Sequence, residues 1–249
     1  MTTSKSVGRA IGLLLLVQLV AGLILPYVLL LPISAPAGAF LDNAAAMALT
    51  VRLSVLMLFV GGAASLAIAI AAWPAVRERQ PQLGLWLLAL AATNFTLQMV
   101  ENAHWLSLLS MSQAHAPADA VETAMIRPLA LAAHASFLWA HYSHILIVVA
   151  WLFTLYLLLY RCAMVPRWIA AFGMGAALLH FIGFTAPAFG GYLMPYPDLF
   201  GAPLGIASLV LALLLIARGF VNAGSRNVPP PPRELEARAS VRDWKAELS

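Results

Sequence analysis

Charge is what this chain has least of. Of its 249 residues only 10% are Asp, Glu, Lys or Arg, and 62% are hydrophobic. A soluble domain carries about 25% charged residues, because its surface must face water. So little charge excludes an ordinary soluble globular domain and leaves the lipid bilayer as the solvent. Cysteine is nearly absent as well. Cys162 stands alone, so no intrachain disulfide can form, and C-x-x-C redox and zinc patterns are excluded. Lys5 and Lys245 are the only lysines, both near the ends, which excludes an intramembrane Schiff base of the kind a retinal protein needs. The chain also lacks a phosphate-binding glycine loop, a nucleophile elbow, an H-E-x-x-H pair and paired aspartates. Its formal net charge is +4, but the bases lie between and after the apolar runs. That placement signals membrane topology rather than nucleic-acid binding.

Long apolar runs are what the sequence has in abundance. A helix needs about 20 apolar residues to cross the hydrocarbon core. Six stretches provide them: 10–31, 46–73, 83–109, 129–160, 168–187 and 204–220. The first exceeds the roughly 7–15 apolar residues of a signal peptide and reads as an uncleaved span. The fourth is longer than the core requires. Pro128 suits a first helical turn there, with the extra turns projecting from the membrane. The predicted fold class is an all-α integral membrane protein, a six-transmembrane-helix bundle.

The basic residues orient it. One side receives Lys5, Arg9, Arg77, Arg79, Arg161, Arg167, Arg218, Arg226, Arg233, Arg238, Arg242 and Lys245; the other receives Arg52 and Arg127. Cytoplasmic loops carry the excess of Lys and Arg, so both termini are predicted inside, N-in/C-in. Aromatic residues agree, with Trp73, Trp86, Tyr160 and Trp168 at the inner interface and Tyr27, Trp105, Tyr192 and Tyr196 near the outer one. Three outer loops are expected, at 32–43, 110–127 and 187–203; the second contains His115, Asp119 and Glu122, and an interfacial helix is an alternative for part of it. Residues 1–222 form the six-span transmembrane domain. Residues 223–249 form a Pro-rich spacer and a short cytoplasmic tail, in which Leu235, Val241, Trp244 and Leu248 have rough helical spacing. Gly61-Gly62 and Gly173-x-Gly175 are expected to let helices approach closely.

Chemistry must come from polar groups that lipid would otherwise exclude. The third span carries Asn94, Gln98, Glu101 and His104, which at helical spacing share an arc of about 120°. The fourth carries His134, His141 and His144, within about 80°. His180 lies in the fifth span and Arg52 near the outer end of the second. Counting 1.5 Å per residue places Glu101, His104, His141, His144 and His180 in one slab roughly 10 Å thick in the outer half. An intramembrane carboxylate costs roughly 2.5–3.5 kcal/mol on insertion scales, so Glu101 should face the bundle and have a partner. Arg52, His104 and the fourth-span histidines are the candidates.

Four readings of this cluster stay open. Glu101-x-x-His104 and His141-x-x-His144, completed by His180, have the spacing of a metal site for zinc, iron or copper. Two of His104, His141, His144 and His180 are alternatively axial haem ligands. The same residues otherwise form a buried hydrogen-bond network, or line a proton-linked transport pathway.

Other residues carry a resemblance. Gly12-Leu13, Gln18-Leu19-Val20-Ala21-Gly22, Glu101, Tyr160-Arg161 and Val165-Pro166-Arg167-Trp168-Ile169 are similar to a bacterial multi-span family, domain of unknown function 4386. The resemblance runs from about Gly8 to Phe220. It implies a multi-pass protein of the bacterial inner membrane and carries no established activity. The expected surroundings are the lipid bilayer, with a small-molecule ligand or a membrane protein partner. The competing functions are a binding protein or enzyme whose site opens to the periplasm, and a non-catalytic transporter, sensor or assembly partner.

Overall fold

The computed structural model describes residues 2–24, 26, 28–30, 39–185 and 197–220. Helix α1 (Thr2–Leu19) runs into a π-helical turn, Val20–Ile24. The short α2 (Ala39–Asn43) follows, then α3 (Ala48–Val76), α4 (Pro81–His115), α5 (Ala120–Arg161), α6 (Arg167–Thr185) and α7 (Pro197–Arg218). No strand occurs among the described residues. Helices satisfy their backbone groups internally, which lipid demands. Six of these helices (all but α2) are long and apolar enough to cross a membrane. The tail residues with helical spacing, Tyr27, Tyr192 and Tyr196 lie outside the described residues.

Local signals set the helix ends. Pro81 starts α4 at a position where its missing N–H costs nothing. Asp119 caps α5: its carboxylate accepts from the N–H groups of Val121 and Glu122 at 2.8 and 2.9 Å, and Glu122 reaches back to the Asp119 N–H. This capping box corrects two expectations. The predicted loop at 110–127 is mostly helix, because α4 continues to His115 and α5 begins at Ala120. Pro128 lies inside α5, beyond its first two turns, rather than opening it. Asp119→Ala should lower thermal stability by about 1 kcal/mol, read from melts in detergent. An unchanged melt would show that the cap is dispensable.

Each membrane-length helix packs on its neighbours in sequence, and α7 packs back on α1, which closes the ring. Both faces of these helices are apolar for different reasons. Leu49, Leu85, Trp86, Leu178 and Ile206 project outward and are more than half exposed, as lipid-facing groups would be. The inner faces build a large core at the end where α1 begins and α7 finishes. It includes the fully buried Trp151, Tyr156, Ile68 and Leu215. A smaller cluster around Phe40, Trp105, Leu108 and Phe137 closes the far end beneath α2. The hydroxyl of Ser112 ties α2 down, donating to the Leu41 carbonyl at 2.7 Å and accepting from the Ala45 N–H at 2.8 Å.

Lipid tails are as apolar as leucine, so close packing rather than hydrophobic burial holds such helices together. The glycines bear this out. A Cβ added at Gly61 of α3 would lie 2.5 Å from the Gly22 Cα in the π-helical turn that continues α1. One added at Gly173 would run into the Tyr156 ring. Gly175 differs from the expectation, because nothing lies within 4 Å of where its Cβ would be.

Candidate functional site

Between the two cores the ring lines a half-open cavity of about 590 Å³ to which all six long helices contribute. Apolar residues such as Leu15, Leu58, Val148 and Phe184 make up most of its wall. Four of the five predicted site residues line it: Glu101 from α4, His141 and His144 from α5, and His180 from α6. The fifth, His104, does not. It sits in the α4–α5 seam, with Nδ1 2.8 Å from the Val100 carbonyl and Nε2 3.1 Å from Ser136 Oγ. Its position explains this. Three residues beyond Glu101 is a rotation of about 60° around the helix, to the edge of the polar arc.

Glu101 is buried, at 4% exposure. Its two carboxylate oxygens are held by two imidazoles one turn apart on α5. Oε1 faces His141 Nδ1 at 3.0 Å and Oε2 faces His144 Nδ1 at 2.7 Å. Its partners are therefore histidines; Arg52, the other candidate, is exposed. The second nitrogen of His144, Nε2, lies 2.9 Å from Asn94 Oδ1. Asn94 Nδ2 donates to Ser65 Oγ at 2.7 Å, and the Ser65 hydroxyl donates to the Gly62 carbonyl at 2.6 Å. A second arm runs from Gln98 Nε2 to Asn102 Oδ1 at 3.2 Å and from Asn102 Nδ2 to the Val55 carbonyl at 3.3 Å. The network thus joins α3, α4 and α5.

The direction of this chain fixes its hydrogens. A backbone carbonyl only accepts, so the single Ser65 hydrogen goes to Gly62. Ser65 Oγ must then accept from the Asn94 amide nitrogen, which turns Asn94 Oδ1 toward His144. His144 Nε2 therefore carries a hydrogen. One further proton lies between His144 Nδ1 and Glu101 Oε2, on one atom or the other, since two lone pairs would repel at that distance. His141 Nδ1–H donates to the remaining carboxylate oxygen. The pair holds no net charge, which suits its burial.

The geometry also tests the metal and haem readings. Zinc sits about 2.0–2.2 Å from nitrogen and oxygen ligands, whereas Glu101 and the two imidazoles bond directly to one another. Among the described residues no group of three His, Cys, Asp or Glu is arranged to hold a metal ion. Of the four haem candidates, His104 and His144 have both ring nitrogens engaged.

Sequence reasoning named Asn94 and Gln98 but missed Ser65, Asn102 and the cavity-lining Gln18 and Ser208. Ser65 was legible in principle as a hydroxyl in the middle of an apolar helix at the depth of Asn94.

Comparison with known proteins places this arrangement. The family described as domain of unknown function (DUF4386) matches residues 10–219. The chain belongs to that family. No curated protein and no solved structure matches it. The part matched to DUF4386 contains the cavity and every residue of the network, and it stops short of the tail.

Proposed function

We propose that this DUF4386 protein is a membrane-embedded binding protein whose cavity takes a small, mostly apolar molecule. Glu101 and His144 hold His141 in place, and His141 meets the ligand's polar end. The observation that carries this reading is the cavity itself. Its volume falls within the roughly 300–1,000 Å³ of small-molecule sites, and its wall is mostly apolar with a few convergent polar groups, as such sites are. A purely structural network needs no cavity beside it.

Gly205 supplies the test. It lines the cavity, and nothing lies within 4 Å of the position its Cβ would take. Gly205→Leu should place four carbons in open space while improving local helix propensity by about 1 kcal/mol. The expected result is a fold as stable as wild type that has lost the apolar molecule extracted with it from membranes, measured by mass spectrometry. A variant that retains the same extracted molecule would sink the ligand reading. The same preparation checks for cofactors. Haem would have to rest on His141 and His180, and a Soret band or stoichiometric metal would displace this proposal.

In the proposed setting, the bacterial inner membrane, both termini are cytoplasmic and the cavity lies in the periplasmic half. The motive is the twelve-to-two distribution of the 14 Lys and Arg residues. Cys162 is buried. Burial pushes its thiol above the ordinary range, against the pull of the Arg79 guanidinium, so it should stay silent toward thiol reagents. Ala118→Cys should then react with an impermeant maleimide in intact cells, and Glu78→Cys only after lysis. The reverse pattern would invert the topology.

A further inference from the structure

The hydrogens fixed by the network say which polar end the cavity accepts. We propose that the ligand is a mostly apolar molecule ending in a hydroxyl, whose O–H donates to Nε2 of His141. This rests on the cavity being a ligand site, and it adds what that site recognises.

The argument begins at Ser65 and ends at His141. Each hydrogen donated along the chain has a defined acceptor, from Ser65 to Gly62, from Asn94 to Ser65 and from His144 to Asn94. The proton shared by His144 and Glu101 lies between Nδ1 and Oε2, which leaves Oε1 to accept from His141 Nδ1 at 3.0 Å. A neutral imidazole with hydrogen on Nδ1 carries a lone pair on Nε2, at the opposite edge of the ring. Carboxylate-oriented histidines present the other nitrogen to a partner in this way in metal sites and catalytic triads.

Here the ring is also held by its neighbours. Phe137 stacks on it at 5.9 Å with 25° between planes, and Phe184 meets it edge-on at 6.1 Å. His141 lines the cavity. The His141 side chain is 38% exposed, so its Nε2 lone pair opens on the cavity, and an acceptor facing a mostly apolar wall gains from a donor brought by a ligand. The cluster offers no net charge to attract an ion, since Glu101 and His144 neutralise each other. What fits is an uncharged donor on an apolar body, such as a phenol or a long-chain alcohol.

The test uses wild-type protein in nanodiscs, with para-hexylphenol as the probe and para-hexylanisole, its methyl ether, as the control. The two differ in the hydroxyl hydrogen and are otherwise close in shape. Equilibrium dialysis, with binding to empty nanodiscs subtracted, should show the phenol bound about tenfold more tightly, the worth of one modest hydrogen bond. Nitrogen NMR with isotope-labelled histidine gives a second readout. In free protein His141 should show hydrogen on Nδ1 and a lone pair on Nε2, as should His104, whose Nδ1 donates to the Val100 carbonyl; the signal lost in His141→Phe identifies His141, and the phenol but not the ether should move its Nε2. His141→Phe keeps a ring between Phe137 and Phe184 and should abolish the preference. Equal binding of phenol and ether, or an Nε2 of His141 already protonated in free protein, overturns the inference while leaving the cavity as a ligand site. Failure of both compounds to bind also overturns it. The ligand site itself falls only if Gly205→Leu in addition leaves the extracted molecule in place.

Discussion

Glu101→Ala should be among the most damaging single substitutions in this protein, and Glu101→Gln among the mildest at a buried charge. The alanine variant strips both imidazoles of their partner. His141 Nδ1 and His144 Nδ1, now facing each carboxylate oxygen at 3.0 and 2.7 Å, would be left in a pocket with nothing to bond. Breaking a buried pair by deleting one member costs about 3–5 kcal/mol. The glutamine variant behaves differently because the partners can change their protons. Its Oε1 accepts from His141 Nδ1–H as before. Its Nε2 donates to a neutral His144, whose other nitrogen keeps its hydrogen for Asn94. Every hydrogen bond of the pair is kept and only the second amide hydrogen is new, so the loss should stay under about 1.5 kcal/mol. An arginine partner could not adjust in this way, since it does not shed its proton. Thermal melts of the two variants in the same detergent decide the matter. If Glu101→Gln melts as low as Glu101→Ala, the pair is held by charge and His144 is locked as an imidazolium.

The fold was largely legible because lipid imposes a length and an apolar content that few other structures share. Each of the six predicted stretches overlaps a membrane-length helix among the described residues. Their ends were harder. The polar stretch 110–127 reads as a loop with a helix only in part, yet most of it lies on helical turns that continue the spans and are stabilised at the start of α5 by Asp119 and Glu122. Hydropathy marks the lipid-facing part of a helix, not its last turn. The candidate site was legible for a related reason. Polar groups are rare within the spans, so depth and helical angle alone brought Glu101, His141, His144 and His180 to one cavity.

What the sequence could not supply was the purpose of those groups. E-x-x-H and H-x-x-H are read as metal motifs when each residue points a lone pair at a common centre. Here the same spacing lets His141 and His144 grip the two oxygens of one carboxylate. His104, at the edge of the same arc, turns to the helix seam. Rotation about one helix is knowable from spacing, but which neighbour occupies a given edge of the arc depends on the packing of the whole ring. Packing here is set by glycines, and the sequence shows them only as small residues.

That packing leads to the other large effect. Gly61→Leu should prevent the native bundle from forming, at a cost above about 3 kcal/mol. The reason is what the new side chain would meet. A Cβ at Gly61 would lie 2.5 Å from the Gly22 Cα and 2.9 Å from the Gly22 nitrogen. These are backbone atoms, so no rotamer change relieves the overlap, and α1 would have to move bodily away from α3. The contact falls on the π-helical turn Val20–Ile24, an irregularity of the kind that recurs at functional sites. Gly22 and Gly61 both line the cavity, so the displacement would open its wall as well as weaken the fold. Gly205→Leu is the matched control, the same change at a cavity glycine with open space around it. Monodisperse yield and melting temperature of the two variants should diverge, with Gly205→Leu at or above wild type and Gly61→Leu aggregating or melting far below it. Should Gly61→Leu melt with wild type, α1 and α3 do not meet backbone to backbone, and the cavity cannot have the shape described.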